Sequence, residues 1–143
     1  MKHDNCIFCQ IVAGEQPSAK VYEDEYVYAF LDISQVTEGH TLIIPKMHVK
    51  DIYELPEDIA GKLFQPVPKI AQALKRAFNA DGINLLNNNE ITAGQSVFHI
   101  HIHLIPRFSR MNDGFGVKWM TRNHEFSRAQ LQQIAEKISN QLI

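Results

Sequence analysis

The sequence has no apolar run approaching the ~18 residues of a membrane-spanning helix, so nothing in it is expected to cross a bilayer. It also lacks a basic cluster. Fourteen Lys and Arg stand against sixteen Asp and Glu, a net charge of −2, and the electrostatic footprint of a nucleic-acid or membrane-surface binder is missing. A ligand carrying phosphate must therefore be met at a local site. No GxxxxGK[ST] segment occurs, which excludes phosphate binding by a Walker-type loop. Internal repeats, low-complexity tracts and Gly/Ser-rich linkers are absent too, so the 143 residues are expected to form one domain around one core. From Met1 to Gln16 the chain carries acid and amide groups where a secretory leader needs an apolar stretch, and a cytoplasmic protein is expected. Cysteine is scarce: Cys6 and Cys9 make one C-x-x-C, which in a cytoplasmic chain reads as a metal site or a redox pair before a structural disulfide.

What is present follows clear periodicities. Residues 6 to 13 suit a short helix stopped at Gly14, with Pro17 enforcing the break. Lys20–Glu23 and Tyr26–Leu31 read as a hairpin, and His40–Ile44 as a third strand ended by Pro45. Between Pro56 and Asn79 the residues Ile59, Leu63, Val67, Ile70, Leu74 and Phe78 recur at spacings of three and four, predicting a long amphipathic helix. Pro66 and Pro68 sit inside it, so a kink or split is expected near Gln65. Gly82 is a plausible cap, followed by strands Ile83–Asn87 and Val97–Ile105. Ser127 and Gln130 stand in capping-box register before Leu131, Ile134, Ala135, Ile138 and Leu142, a C-terminal helix. The order does not alternate strand and helix, so the class is α+β: a largely antiparallel sheet, one long kinked helix and a C-terminal helix.

The most informative segment runs Gly94-Gln95-Ser96-Val97-Phe98-His99-Ile100-His101-Ile102-His103-Leu104-Ile105-Pro106. On a strand, alternation puts His99, His101 and His103 on one face and Phe98, Ile100, Ile102 and Leu104 on the other, which is fit for the core. A merely polar face needs no run of one residue type. Histidine changes charge near neutral pH and serves as nucleophile, acid or metal ligand.

His-φ-His-φ-His-φ-φ over His99 to Ile105, with Gly94-Gln95-Ser96 before it, resembles the histidine-triad (HIT) family. The likeness covers about residues 6–107, leaving an extension over 108–143. It includes Cys6-Ile7-Phe8-Cys9, Ala29-Phe30-Leu31-Asp32-Ile33 and Gly39-His40-Thr41-Leu42-Ile43-Ile44-Pro45-Lys46-Met47-His48. It is closest to the nucleotide-binding branch, whose members bind purine mononucleotides and hydrolyse phosphoramidate or related bonds at the α-phosphorus.

The resemblance implies that His101 is the nucleophile and that His103 hydrogen-bonds the α-phosphate. It implies Asp32 on the ribose hydroxyls, Ile33 beside the base, and Gly94, Gln95 and Ser96 at the phosphate and leaving group. Asn88 falls where the family places a polar contact to the nucleotide, with the run Asn87-Asn88-Asn89 leaving the register open by one residue. Bacterial-type members with this N-terminus are similar in binding zinc, which here implies Cys6, Cys9, His48 and His99 as ligands. Four protein ligands would make that site structural. Two buried thiols or a thioredoxin-like redox pair are the other readings of the cysteines.

His3, His40 and His124 receive no role, His40 being expected as a satisfied structural residue. The Gly114-to-Trp119 loop is expected near the site mouth. The resemblance also implies a homodimer, paired through the long helix with the sheet extended across the contact. The function expected is hydrolysis or nucleotidyl transfer through a covalent nucleotidyl-histidine, with a nucleoside phosphoramidate as substrate. A dinucleoside polyphosphate hydrolase and a nucleotide-binding interaction protein with little turnover are the alternatives.

Overall fold

A computed structural model describes residues 3–113, 121–122 and 125–143, so the Gly114-to-Trp119 loop lies outside the described residues. The chain divides into two compact units, Met1–Asp113 and Gly114–Ile143. In the first, α1 (Ile7–Val12) leads into strands β1 (Lys20–Glu23), β2 (Val27–Leu31) and β3 (Thr41–Pro45). Helices α2 (Glu57–Phe64) and α3 (Val67–Phe78) follow, then β4 (Gly82–Leu86) and β5 (Ile102–Arg107). The strands form one antiparallel sheet in the order β1-β2-β3-β5-β4, the α+β class expected. In the second unit α4 (Arg128–Ser139) carries the expected capping box, with Ser127 and Gln130 each bonding the other's backbone. No described helix is long and apolar enough to cross a membrane.

Period-two alternation gives the sheet two differently used faces. Val27, Ala29, Ile43, Ile102 and Leu104 turn to one side and pack with Leu63, Val67, Ile70 and Leu74 of α2 and α3. Tyr28, Phe30, Leu42 and Ile44 turn to the other and pack with Phe8 and Ile11 of α1. Since Leu42 stands opposite His103 in the β3–β5 ladder, His103 belongs to the α1 side.

The long helix is split where the prolines demand it. Pro66 caps α3 and Pro68 lies in its first turn, where a missing N–H costs no ladder bond. Its end differs from expectation: Asn79 adopts the left-handed conformation (φ 51°) and caps the helix, whereas Gly82 opens β4. The strand expected from Val97 begins only at Ile102. The ladder stops because Pro45 has no N–H to donate, and its carbonyl accepts a hydrogen bond from the His99 side chain at 2.8 Å. Residues 97–101 therefore leave the sheet, tied by Ile100 N–H to the Val49 carbonyl (2.7 Å) and by the Asn87 amide to the His101 carbonyl (3.0 Å). Gly39 has φ +97°, and a Cβ there would stand 2.5 Å from the Phe78 ring, so only glycine fits this entry to β3.

Candidate active site and metal centre

A cavity of about 840 Å³ opens on the α1 side of the sheet, within the range of small-molecule sites. Ile7, Phe8 and Ile11 of α1, with Phe30, Ile33 and Leu42, make its apolar walls. Asp32, Ser96, His101 and His103 supply polar groups. Ile33 is fully exposed, which for a large apolar side chain at a cavity rim suits contact with a flat ring.

The hydrogen bonds fix the histidine tautomers. The ring nitrogen Nδ1 of His101 lies 2.8 Å from the His99 carbonyl, which can only accept, so Nδ1 carries the proton and Nε2 keeps its lone pair. Burial pushes the His101 imidazole below its ordinary range, against the opposing pull of the His99 carbonyl and Asp32, and it is neutral at neutral pH. A neutral, oriented imidazole beside a cavity is a nucleophile in form.

His103 is set by a residue that sequence reasoning left without a role. The Val36 N–H donates to His40 Nδ1 (3.3 Å), so His40 Nε2 carries the proton and donates to His103 Nδ1 at 2.9 Å. His103 is thereby left with Nε2–H as a donor. Burial holds His40 below the ordinary imidazole range, and burial, with His101 and His40 nearby, takes His103 down to about 4. His40 is buried and satisfied as expected, yet it is also a positioning residue. Its place immediately after Gly39 and directly before β3 was the sequence signal available.

The other expected contacts divide. Asp32 accepts the Ser34 N–H (2.7 Å) on one oxygen, and its other oxygen lies 3.7 Å from His40 Nε2. Asn88, Gly94 and Gln95 do not line the cavity. The Gln95 side chain is buried and spent on the loop: it accepts the Glu90 N–H (2.8 Å) and donates to the carbonyls of Lys50 (2.7 Å) and Val97 (3.2 Å). That clamp holds Glu90 at φ 70°, ψ 159°, a conformation costing about 1–3 kcal/mol outside glycine. Asn87 and Asn89 are occupied, donating to the His101 carbonyl and to the Asn87 side chain, while Asn88 lies against Gly94, near 3.7 Å from where a Cβ would stand.

Cys6, Cys9, His48 and His99 gather with one ligand atom each, all within 4.8 Å of one another, and can hold a metal ion. His99 Nδ1 lies 3.5 Å from the Cys6 sulfur and 3.6 Å from that of Cys9, and His48 Nδ1 lies 3.3 Å from Cys9. A tetrahedron with metal–sulfur bonds of ~2.3 Å and metal–nitrogen bonds of ~2.0–2.1 Å has S···N edges of about 3.5 Å, so the donor set fits zinc in type and spacing. The second shell fits as well: His99 Nε2–H donates to the Pro45 carbonyl, turning the Nδ1 lone pair toward the sulfurs. The cysteines form no disulfide.

A family model described as the HIT domain matches residues 13–110. A solved structure of a HIT family protein from Bacillus anthracis superposes with a TM-score of 0.94 at 56% identity, covering 98% of this chain and 99% of that one. An adenosine 5'-monophosphoramidase of Candida albicans, HNT1, is 38% identical over 98% of this chain and 93% of its own length. A zinc-bound histidine triad family protein from Mycobacterium smegmatis matches at 36% identity with a TM-score of 0.72, covering 93% of this chain and 97% of that one. The alternating histidines were thus a reliable guide, and the chain belongs to the HIT-domain family.

Proposed function

We propose that the protein is a HIT-type hydrolase that cleaves nucleoside phosphoramidates at the α-phosphorus. The observation that carries this reading is the His101 ring, neutral and locked by the His99 carbonyl with its Nε2 lone pair unprotonated, in a cavity that also holds Asp32 and His103. The monophosphoramidase activity named for the Candida relative supports it.

In this reading the apolar walls take the base, Ile33 lies beside it, and the Asp32 carboxylate accepts from the ribose hydroxyls. Nε2 of His101 forms a bond to phosphorus as the phosphorus–nitrogen bond of the substrate breaks, and the departing amine takes a proton from water through the Ser96 hydroxyl. The His99 carbonyl stabilises the imidazolium character that develops. His103 Nε2–H donates to a phosphoryl oxygen, with backbone N–H groups of the Gly94–Ser96 loop as further donors. Water then displaces the histidine, a proton returns to solvent, and a nucleoside monophosphate leaves. Cys6, Cys9, His48 and His99 would hold zinc, which would supply a structural cross-link of α1 to the segments that follow β3 and precede β5, with four protein ligands and no open position for water.

Side-by-side turnover of an adenosine phosphoramidate and a diadenosine polyphosphate on pure protein tests the assignment. Faster cleavage of the phosphoramidate is expected. Preference for the polyphosphate would move the reading to that substrate class by the same chemistry, and tight binding without turnover of either would make the protein a nucleotide-binding regulator. The open edge of the sheet at β4 supports pairing of two subunits. A solution mass near twice 16.4 kDa is expected, and a monomeric mass at micromolar concentration would refute the pairing.

A further inference from the structure

Helix α1 cannot hold itself in place. Its six residues are far below the ~12–15 that an isolated helix needs, Cys6 caps it with no side-chain bond, and neither end carries a charge that complements the helix dipole. Its order comes from what it touches. Phe8 and Ile11 enter the cluster with Phe30, Leu42 and Ile44, while Cys6 and Cys9 meet His48 and His99. The same helix forms a wall of the nucleotide cavity through Ile7, Phe8 and Ile11.

Two routes connect the metal centre to the nucleophile. One is the backbone: His99 offers its side chain to the sulfurs and its carbonyl to His101 Nδ1–H. The other is Phe8, which lies between the two cysteines in sequence and meets the rings of His99 and His101 edge-on, at 5.8 Å and 5.3 Å.

We propose that the Cys6–Cys9–His48–His99 centre and the nucleotide cavity are energetically coupled, with Phe8 as the positioning residue that carries the coupling. The inference rests on the nucleotide reading above. A metal that fastens α1 sets the cavity wall and the His101 ring before the nucleotide arrives. A nucleotide packed against α1 must then tighten the metal site by the same factor, because binding linkage is reciprocal.

The test measures zinc affinity of the zinc-loaded protein by competition with a chromophoric chelator, with and without saturating adenosine monophosphate, with far-UV circular dichroism on each form. Zinc should bind about fivefold tighter, or more, in the presence of the nucleotide. In Phe8→Leu, which keeps an apolar side chain in the cluster, zinc should still bind, the nucleotide should need a higher concentration to saturate because Phe8 is part of its wall, and the ratio at saturation should fall toward one. Phe8→Met takes its place if that variant fails to fold. A ratio near one in a wild-type protein that binds the nucleotide would overturn the coupling and leave the nucleotide reading standing. An undiminished ratio in a folded Phe8 variant would also overturn it, since the linkage would then run through the His99 backbone and not through Phe8. Zinc-loaded protein that binds no adenosine monophosphate would overturn the nucleotide reading and this proposal together.

Discussion

His101→Ala should lower turnover of an adenosine phosphoramidate by at least about a thousandfold, equivalent to roughly 4 kcal/mol of transition-state stabilisation. The variant loses the only route through a covalent intermediate. Folding and purine mononucleotide binding should survive, because the apolar walls and Asp32 are untouched. His40→Ala should cost less, about ten- to a hundredfold, and mostly in kcat: His103 would remain in the cavity with its donor tautomer no longer enforced. Trapping a phosphorus–histidine adduct on His101 in wild type, and its absence in His101→Ala, gives the positive result. Residual activity within about tenfold of wild type would remove His101 from the role of nucleophile.

The second large effect belongs to the metal centre. The purified protein is expected to carry about one zinc per chain, and Cys9→Ser should reduce that content and lower the melting temperature by roughly 5–10 °C, about 2 kcal/mol for a domain of this size. A closed four-ligand site contributes folding free energy rather than a Lewis acid. Turnover at saturating substrate by the folded fraction should therefore change far less than stability, with any loss appearing first in KM. His101→Ala should show the converse, keeping the zinc and losing the reaction. Elemental analysis with thermal melts of both variants decides. Metal-free wild type of undiminished stability would return the cysteines to two buried thiols. Activity that disappears on chelation and returns with metal, at constant stability, would overturn the structural role.

The elements that local chemistry determines were legible in the sequence. The C-terminal helix follows from the Ser127–Gln130 box, and the break between α2 and α3 from Pro66 and Pro68, each acting within one turn. Alternation placed Ile102 and Leu104 opposite His103 correctly. What escaped depends on contacts distant in the chain. The first two histidines of the row stand outside the sheet because the partner strand runs out at Pro45, more than fifty residues earlier, which no periodicity within 97–105 records. Asn79 displaced Gly82 as the cap because a short polar side chain tolerates the left-handed conformation. The His40–His103 bond joins positions 63 apart in sequence, and the inward use of Gln95 requires Lys50 and Glu90 to arrive from elsewhere. Residue types at the site were therefore readable, whereas the division of labour among them was set by tertiary neighbours.

His101 and His103 in the cavity, and His40 behind them, are pushed toward the neutral form, and among the described lining residues there is neither lysine nor arginine. Asp32 is the one formal charge among those described residues. A phosphate ester entering here meets hydrogen-bond donors in fixed positions, and the described lining residues offer it no counter-ion. Its binding by these residues should consequently not weaken as salt rises, unlike recognition that releases condensed salt, because added salt only screens the repulsion from Asp32. Each additional anionic group on a ligand raises the desolvation cost with no cation among the described lining residues to offset it. On the described lining alone, selectivity is expected to be dielectric in origin, favouring ligands whose charge is confined to one phosphoryl centre over polyanions that a basic groove would prefer.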